Sequence, residues 1–308
     1  VPILSVPSGA TAPPVVNAFP GLSDITWTGY DGSIWDLTDY GNSGVLLGQG
    51  VRGLAMPPVN RYATQSPALP GSLWRGFRTL ERDVFWPLTV FSDVSSQAWL
   101  DYDRAFWATM RPDQIGTWTV TQPSGQSRSL LLRYSDDGKH VFDVDPALLG
   151  WTAYGVTLIA EQPYWMGAPI TRTWMNDTPT PFFGPTGVAP SFYISSSSVI
   201  SSATMPNPGD VDAYPVWTIT GPSTYVKVGV GTKVIEYTAT IPAGQTITID
   251  TRPDQLSITD QAGGNQVAGL GSVQFASIPT GTSVTLSLQL TGAGSVSASL
   301  TPLYHRAW

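Results

Sequence analysis

SDVSSQAWLDYDRAFWATMRP, residues 92–112, reads as a helix, and the first half of the chain is expected to fold around it. Ser92, Asp93 and Ser95 are each able to cap its start, because a short side-chain oxygen accepts from the backbone amides that the first turn leaves unpaired. Arg111-Pro112 supplies the stop. At about 100° per residue, Trp99, Tyr102, Phe106 and Met110 fall in one narrow arc, widened by Leu100 and Trp107 on one side and by Ala98 and Ala105 on the other. So broad an aromatic stripe needs a sheet to cover. Asp103 lies inside that arc, where a bare carboxylate is costly. It should meet an arginine, sit at the sheet's margin, or snorkel out at the edge.

Outward from the helix, the pattern is that of short strands. On its N-terminal side, WRGFRTLERDVFWPLTVF (residues 74–91) ends in a continuous apolar run of strand length, with Pro87 hinting at an edge or a bulge. Further back, strands are expected over 25–28, 33–37 and 45–47, and a Pro-rich excursion over 56–72 reads as a loop suited to reaching a neighbouring subunit. On the C-terminal side, Trp118 and Val120 alternate with threonines, and Pro123-Ser124-Gly125-Gln126 and Asp137-Gly138 are turns, so 117–144 reads as a β-meander. Trp151–Ala160 adds a further strand. Residues 1–20 are Pro-rich and expected to form an arm or an extended first strand.

Composition changes near 176–190, NDTPTPFFGPTGVAP. Ten of the twelve tryptophans precede it, and Ser, Thr, Val, Ile and Gly dominate beyond it. The expected partition is residues 1–176, a linker over 177–190 and a separate domain over 191–308. In the last of these, strand candidates fall at 192–195, 216–220, 225–230, 234–241, 246–250, 256–259, 273–276, 284–291 and 296–301, with no helical period between them, which means a sandwich or jelly roll. The fold class is therefore mainly β, a sandwich or split barrel with one α-helix followed by a second β-sandwich.

Charged residues make up 12% of the chain, about half of what a typical soluble domain carries, while 42% are hydrophobic. Much of the surface is then uncharged, as suits a protein packed against neighbours. A formal charge of −7 and the lack of a dense basic patch argue against nucleic acid as the main partner. Only three of the fifteen cations are lysine, and arginine is the cation that interfaces tolerate best. The absence of cysteine excludes disulfides and thiolate metal sites. VPILSVPSGATAPPVV lacks the charged n-region of a signal peptide, and 178–209, although uncharged, is too often interrupted for a membrane helix, so a soluble, unsecreted protein is expected.

Catalytic motifs are missing. His140 and His305 belong to no metal-spaced cluster, and no G-x-S-x-G or phosphate loop occurs. The three glutamates, Glu81, Glu161 and Glu236, suggest no acid pair, and Asp136-Asp137 and Asp210/Asp212 read as turn residues. No cofactor is implied. The densest basic group is Arg75, Arg78 and Arg82, which is either a set of solvated charges flanking a strand or an intersubunit clamp. Trp217 is either core or a platform for a sugar, with Tyr225 as its companion in the second case.

Several stretches together resemble a known family. ITWTGYDGSIWDLTDY with GVRGL, RDVFWPLTV before the helix, PSGQSRSL and AEQPYW are similar to the N-terminal domain of distal tail proteins, a kind of minor tail protein, of long-tailed actinobacterial phages. NPGDVDAYPVWTITG (207–221), IPAGQTITIDTRPDQ and TPLYHRAW resemble the galectin-like C-terminal domain of the same family. The resemblance implies a hexameric ring at the end of the tail tube, formed by the first domain, with the second projecting outward. It also implies contacts with tail-tube, tape-measure and tail-tip hub proteins, a place at the virion tail tip, synthesis in the host cytoplasm, and no enzymatic activity. Under it, Arg75, Arg78, Arg82 and Asp103 are the expected subunit-interface residues. Two rivals stand beside it: a glycan-binding adhesin using Trp217 and Tyr225, and a virion-associated hydrolase, which would need an acid pair.

Overall fold

The computed structural model describes residues 24–38, 41, 43–138, 142, 144–176 and 200–308. The first half contains β1 (Asp24–Thr28), β2 (Ile34–Asp36), β3 (Ser43–Leu47), β4 (Val59–Ser66), β5 (Leu69–Thr79), β6 (Arg82–Ser92), α1 (Ser96–Ala108), β7 (Gly116–Thr121), β8 (Ser127–Asp136), α2 (Pro146–Leu149), β9 (Trp151–Ala160), β10 (Trp165–Met166) and β11 (Ile170–Met175). The second half contains β12 (Thr204–Asn207), β13 (Val216–Thr220), β14 (Tyr225–Val230), β15 (Lys233–Tyr237), β16 (Thr246–Asp250), β17 (Ser257–Asp260), β18 (Leu270–Val273), β19 (Thr282–Thr285), β20 (Gln289–Thr291), β21 (Ser295–Leu300) and β22 (Leu303–Tyr304). The fold is mainly β, as the sequence implies.

In the first body the strands run in the order β2-β1-β7-β8-β9-β6-β3. The sheet curls towards closure, since the Leu47 amide, at the end of β3, donates to the Leu37 carbonyl just past β2 at 2.9 Å. Strict alternation along β6 points Val84, Trp86, Leu88 and Val90 inward. Trp27, Trp86, Trp118 and Trp165 fill the interior, the first two contacts edge to face and the third tilted, with successive ring centroids 5.3, 5.2 and 5.0 Å apart. Gly116 lies against Trp27, where an added Cβ would come within 2.0 Å of the indole, so only glycine fits. The Trp27 indole donates to Thr109 Oγ1 (2.9 Å) and the Trp165 indole to the Gly53 carbonyl (3.2 Å), whereas the Trp86 and Trp118 N–H groups have no hydrogen-bond partner.

The expected helix is shorter than its sequence signal at both ends. Ser92 is the last residue of β6, and the cap is Ser95, whose hydroxyl accepts from the Ala98 amide at 3.1 Å. The helix closes at Thr109, before Arg111-Pro112, because both the amide and the hydroxyl of Thr109 donate to the Phe106 carbonyl and tighten the last turn. Its stripe packs as anticipated: Trp99 and Phe106 are buried, the Trp99 indole donates to the Val90 carbonyl of β6, and Tyr102 and Phe106 meet Trp35 edge-on at 5.1 and 5.3 Å. A second, one-turn helix, α2, is an addition to the expectation. Asp145 caps it, Pro146 opens it and Gly150 closes it at φ +72°.

The second body is a two-layer sandwich. A five-stranded sheet, β11-β21-β13-β16-β17, and a four-stranded sheet, β18-β15-β14-β20, share one core that includes Trp217, Ile219, Ile249, Val228 and Ile235. The expected strand over 284–291 is two strands, because the chain changes sheets at Leu286, whose amide bonds the Ala203 carbonyl. The candidate over 192–195 lies outside the described residues, as do His140 and the expected linker.

The chain crosses between the bodies twice. Strand β11, which the expected partition assigns to the first unit, is bonded along its whole length to β21 of the second. Near the other end, β22 returns to pair with β10, and Ala307 is buried in the first core with its amide on the Leu54 carbonyl. Arg128 lies 3.6 Å over the Tyr304 ring and donates to the Arg306 carbonyl.

Candidate functional site

From residue 59 on, the stretch 56–72, expected to be a loop, belongs instead to a two-stranded hairpin arm, β4 and β5, which pair with each other and, among the described residues, with no third strand. Ser66-Pro67-Ala68 turns the chain, and Leu80 N–H on the Pro58 carbonyl and Tyr164 Oη on Thr79 Oγ1 (both 2.9 Å) anchor the base. In the register, Trp74 faces Ala63 and Gly76 faces Tyr62, so Arg75 is an unopposed bulge. Gly76 takes the φ of +143° that this bulge demands. Trp74 and Phe77, three apart and therefore on opposite faces of a regular strand, are thereby brought to one face with ring centroids 6.1 Å apart. Arg61 lies over Trp74 at 5.4 Å. Trp74 is 52% and Phe77 60% exposed, and Val59, Tyr62 and Leu73 are exposed beside them. A two-stranded hairpin is marginally stable alone, and exposed apolar surface of this extent is characteristic of contact sites.

The expected interface residues separate. Arg75 and Arg78 are on the arm, exposed, with Arg75 Nε donating to Thr64 Oγ1 at 3.0 Å. Arg82 is not with them: it is 1% exposed and spends its guanidinium on four backbone carbonyls of its own chain. Nε donates to Pro163 (2.7 Å), Nη1 to Gly53 and Ala55, and Nη2 to His305 (2.8 Å). Burial pulls its pKa down to about 10. Arg82 is thus an internal clasp between the arm's root, the 53–55 segment and the returning C-terminal segment. Asp103 meets no arginine on the sheet either; it accepts from the Tyr154 hydroxyl at 2.8 Å, and burial raises its pKa despite that bond, a further one from Trp107 and the nearby charge of Arg104.

Trp217 is 1% exposed and belongs to the core, so no sugar can stack on it. Tyr225 is half-buried and donates to Glu236 at 3.0 Å, with burial raising its pKa first and that bond second. A cleft of about 520 Å³ separates the two bodies, lined by Leu131, Pro163, Tyr164, Tyr214 and Leu303, with the Arg133–Glu161 ion pair (2.9 Å) at its side. Among the described residues no three His, Cys, Asp or Glu side chains converge as a metal site would require, and no helix is long and apolar enough to cross a membrane.

No family model matches the chain. Minor tail protein Gp27 of Mycobacterium phage D29 is 27% identical over 143 residues, a match that spans 44% of this chain and 41% of that protein's length. Solved structures agree over far more of the chain. The SPP1 Dit protein, described as a paradigm of the hub adsorption apparatus in phages infecting Gram-positive hosts, superposes with a TM-score of 0.61 at 14% identity, over 91% of this chain and 98% of that one. A chain of the phage P2 baseplate in its activated, calcium-bound conformation does so with a TM-score of 0.58 at 12% identity, over 92% and 98%. The fold of this chain is accordingly that of phage distal tail proteins, and over 143 residues its sequence is similar to that of a mycobacteriophage minor tail protein, in agreement with the resemblance its motifs carry.

Proposed function

We propose that this chain is a structural component of a phage tail tip, assembling through its first body as a hexameric ring at the distal end of the tail tube and joining the tube to the tail-tip hub. The observation that carries this reading is the arm: its aromatic face is built by a specific bulge and stands exposed among the described residues. A closed ring needs a heterologous contact, in which one patch of each subunit meets a different patch of the next, and a projecting arm is such a patch. Tail-tube, tape-measure and hub proteins are the partners of this role, and the tail tip of the virion is its location. The second body, a galectin-like sandwich in this reading, projects from the ring.

Light scattering across a concentration series, with low-dose imaging of the same sample, tests the proposal. The expected result is a ring with a central hole and the mass of six chains. A monomer that persists when tail-tube protein is added overturns it. No hydrolysis of peptidoglycan or cell-wall polysaccharide is expected, and turnover that vanishes on changing one carboxylate would show otherwise. The adhesin reading loses its stacking residue to the core, and no other observation favours it.

A further inference from the structure

The arm needs a receiving surface, and the first body carries one. On the outer face of β3, β6 and β9, Leu46, Phe91, Leu149 and Trp151 line a groove of about 460 Å³, with Leu149 and Trp151 each 50% exposed. The register explains why this groove is apolar: Trp151 pairs with Phe91, and Leu46 with Thr89, so their side chains stand side by side on the face turned away from the tryptophan core. Leu148 extends the patch and is the most exposed large hydrophobic residue of the described chain.

Two features make the arm and the groove complementary. The first is charge. Residues 57–80 contain Arg61, Arg75 and Arg78 and no acid, whereas Asp93 lines the groove and Asp145 stands beside it at the start of α2. The second is position. The arm roots two residues before Arg82, at the start of β6, and the groove is at Phe91, near its end, roughly 30 Å away at the usual rise per residue of a strand. Within one chain, arm and groove are both exposed and neither covers the other.

We propose that the Trp74–Phe77 face of the arm seats in the Leu149–Trp151 groove of the next copy of this chain, and that this contact, repeated head to tail, closes the ring. The pairing rests on the ring reading above and adds to it the two surfaces that meet. Trp74 and Phe77 supply rigid aromatic anchors, and the arginines supply the rim that sets direction.

The chain has no cysteine, so a disulfide trap is clean. Full-length protein carrying Phe77→Cys together with Leu149→Cys, mildly oxidised, is expected to give a ladder of covalent multimers beyond the dimer, and neither single variant should do so. Trp74→Glu and Trp151→Glu, both at exposed positions, should each weaken assembly at least tenfold. Mixed, they should recover a pair of unlike chains, because one intact arm and one intact groove remain. Wild-type rings without a ladder, or a Trp151→Glu protein that assembles like wild type, would overturn the pairing and leave the ring standing. A wild type that stays monomeric even when tail-tube protein is added would overturn both, whereas a ladder that forms only in the presence of tail-tube protein would still support the pairing, with assembly then templated by the tube.

Discussion

Removing the Arg82 side chain leaves four carbonyl oxygens, on Pro163, Gly53, Ala55 and His305, without their donor. Unsatisfied buried acceptors and lost charge-assisted bonds together should cost about 3 kcal/mol or more, so Arg82→Ala is expected to lower the urea midpoint markedly. Arg82→Lys should recover little, because an ammonium cannot present donors in the same planar fork. The tryptophan core offers a contrast. Trp118→Phe removes an indole N–H that has no partner, while Trp27→Phe breaks a bond to Thr109, so the first should be the milder loss in a denaturant titration. Asp103 supplies a test with a sign. Its folded-state pKa is raised, chiefly by burial, so the folded state holds its proton more tightly than the unfolded chain does. The penalty of the ionised form is present at neutral pH and is relieved as pH falls through the raised pKa. Asp103→Asn, which keeps an acceptor for Tyr154, should match or exceed the wild type at pH 7 and lose that advantage on acidification. An advantage that grows towards pH 4 would contradict this account.

The arm shows how an element can be a strand pair and still look like a loop. Its four prolines, at 57, 58, 67 and 70, suggest irregularity, and its apolar residues do not alternate because the bulge at Arg75 resets the period. The available signal was Ser66-Pro67 between two runs rich in Tyr, Thr, Trp and Phe. Helix α1 was legible because its stripe follows one period from Trp99 to Met110, yet its ends were not, since Ser92 satisfies its backbone in β6 and Thr109 ends the helix from within. Strands β13, β14 and β16 fall where the sequence places them, with clean alternation along β13 and a break of one buried pair near the end of each of the other two. Of the candidate interface residues, the sequence locates Arg75 and Arg78 on the surface but cannot separate Arg82 from them, because its carbonyl partners come from as far as residue 305. The bulge also gives an element-level prediction. Gly76→Val strains a φ that side chains rarely adopt and should splay Trp74 from Phe77, abolishing assembly while the denaturation midpoint of the monomer stays nearly unchanged. Sizing and urea titration of the same preparation read the two effects.

At the scale of the whole molecule, two cores are joined by more than a linker. Strand β11 leaves the first body to become part of the second, and β22 with Ala307 comes back to complete the first. Deleting residues 303–308 should therefore damage the body they return to: β10 loses one of its two partners and keeps only β8, Arg82 loses the His305 carbonyl and a buried Ala307 site empties. The expected outcome is a lowered unfolding midpoint for the first body and little change for the sandwich, read by hydrogen exchange on each. An unaltered first body would mean that the returning segment merely rests on its surface.

That return has a consequence for how the protein is made. A ribosome delivers the chain in order, and the 131 residues from Ile170 to Leu300 that contain the sandwich emerge before Leu303 and Ala307 do. The body that emerges first is thus finished last, once residues 303–307 are free to dock. Until then it lacks part of its own core, so a nascent or prematurely terminated chain carries an unfinished first body, and its arm and groove are held by a core that is not yet closed.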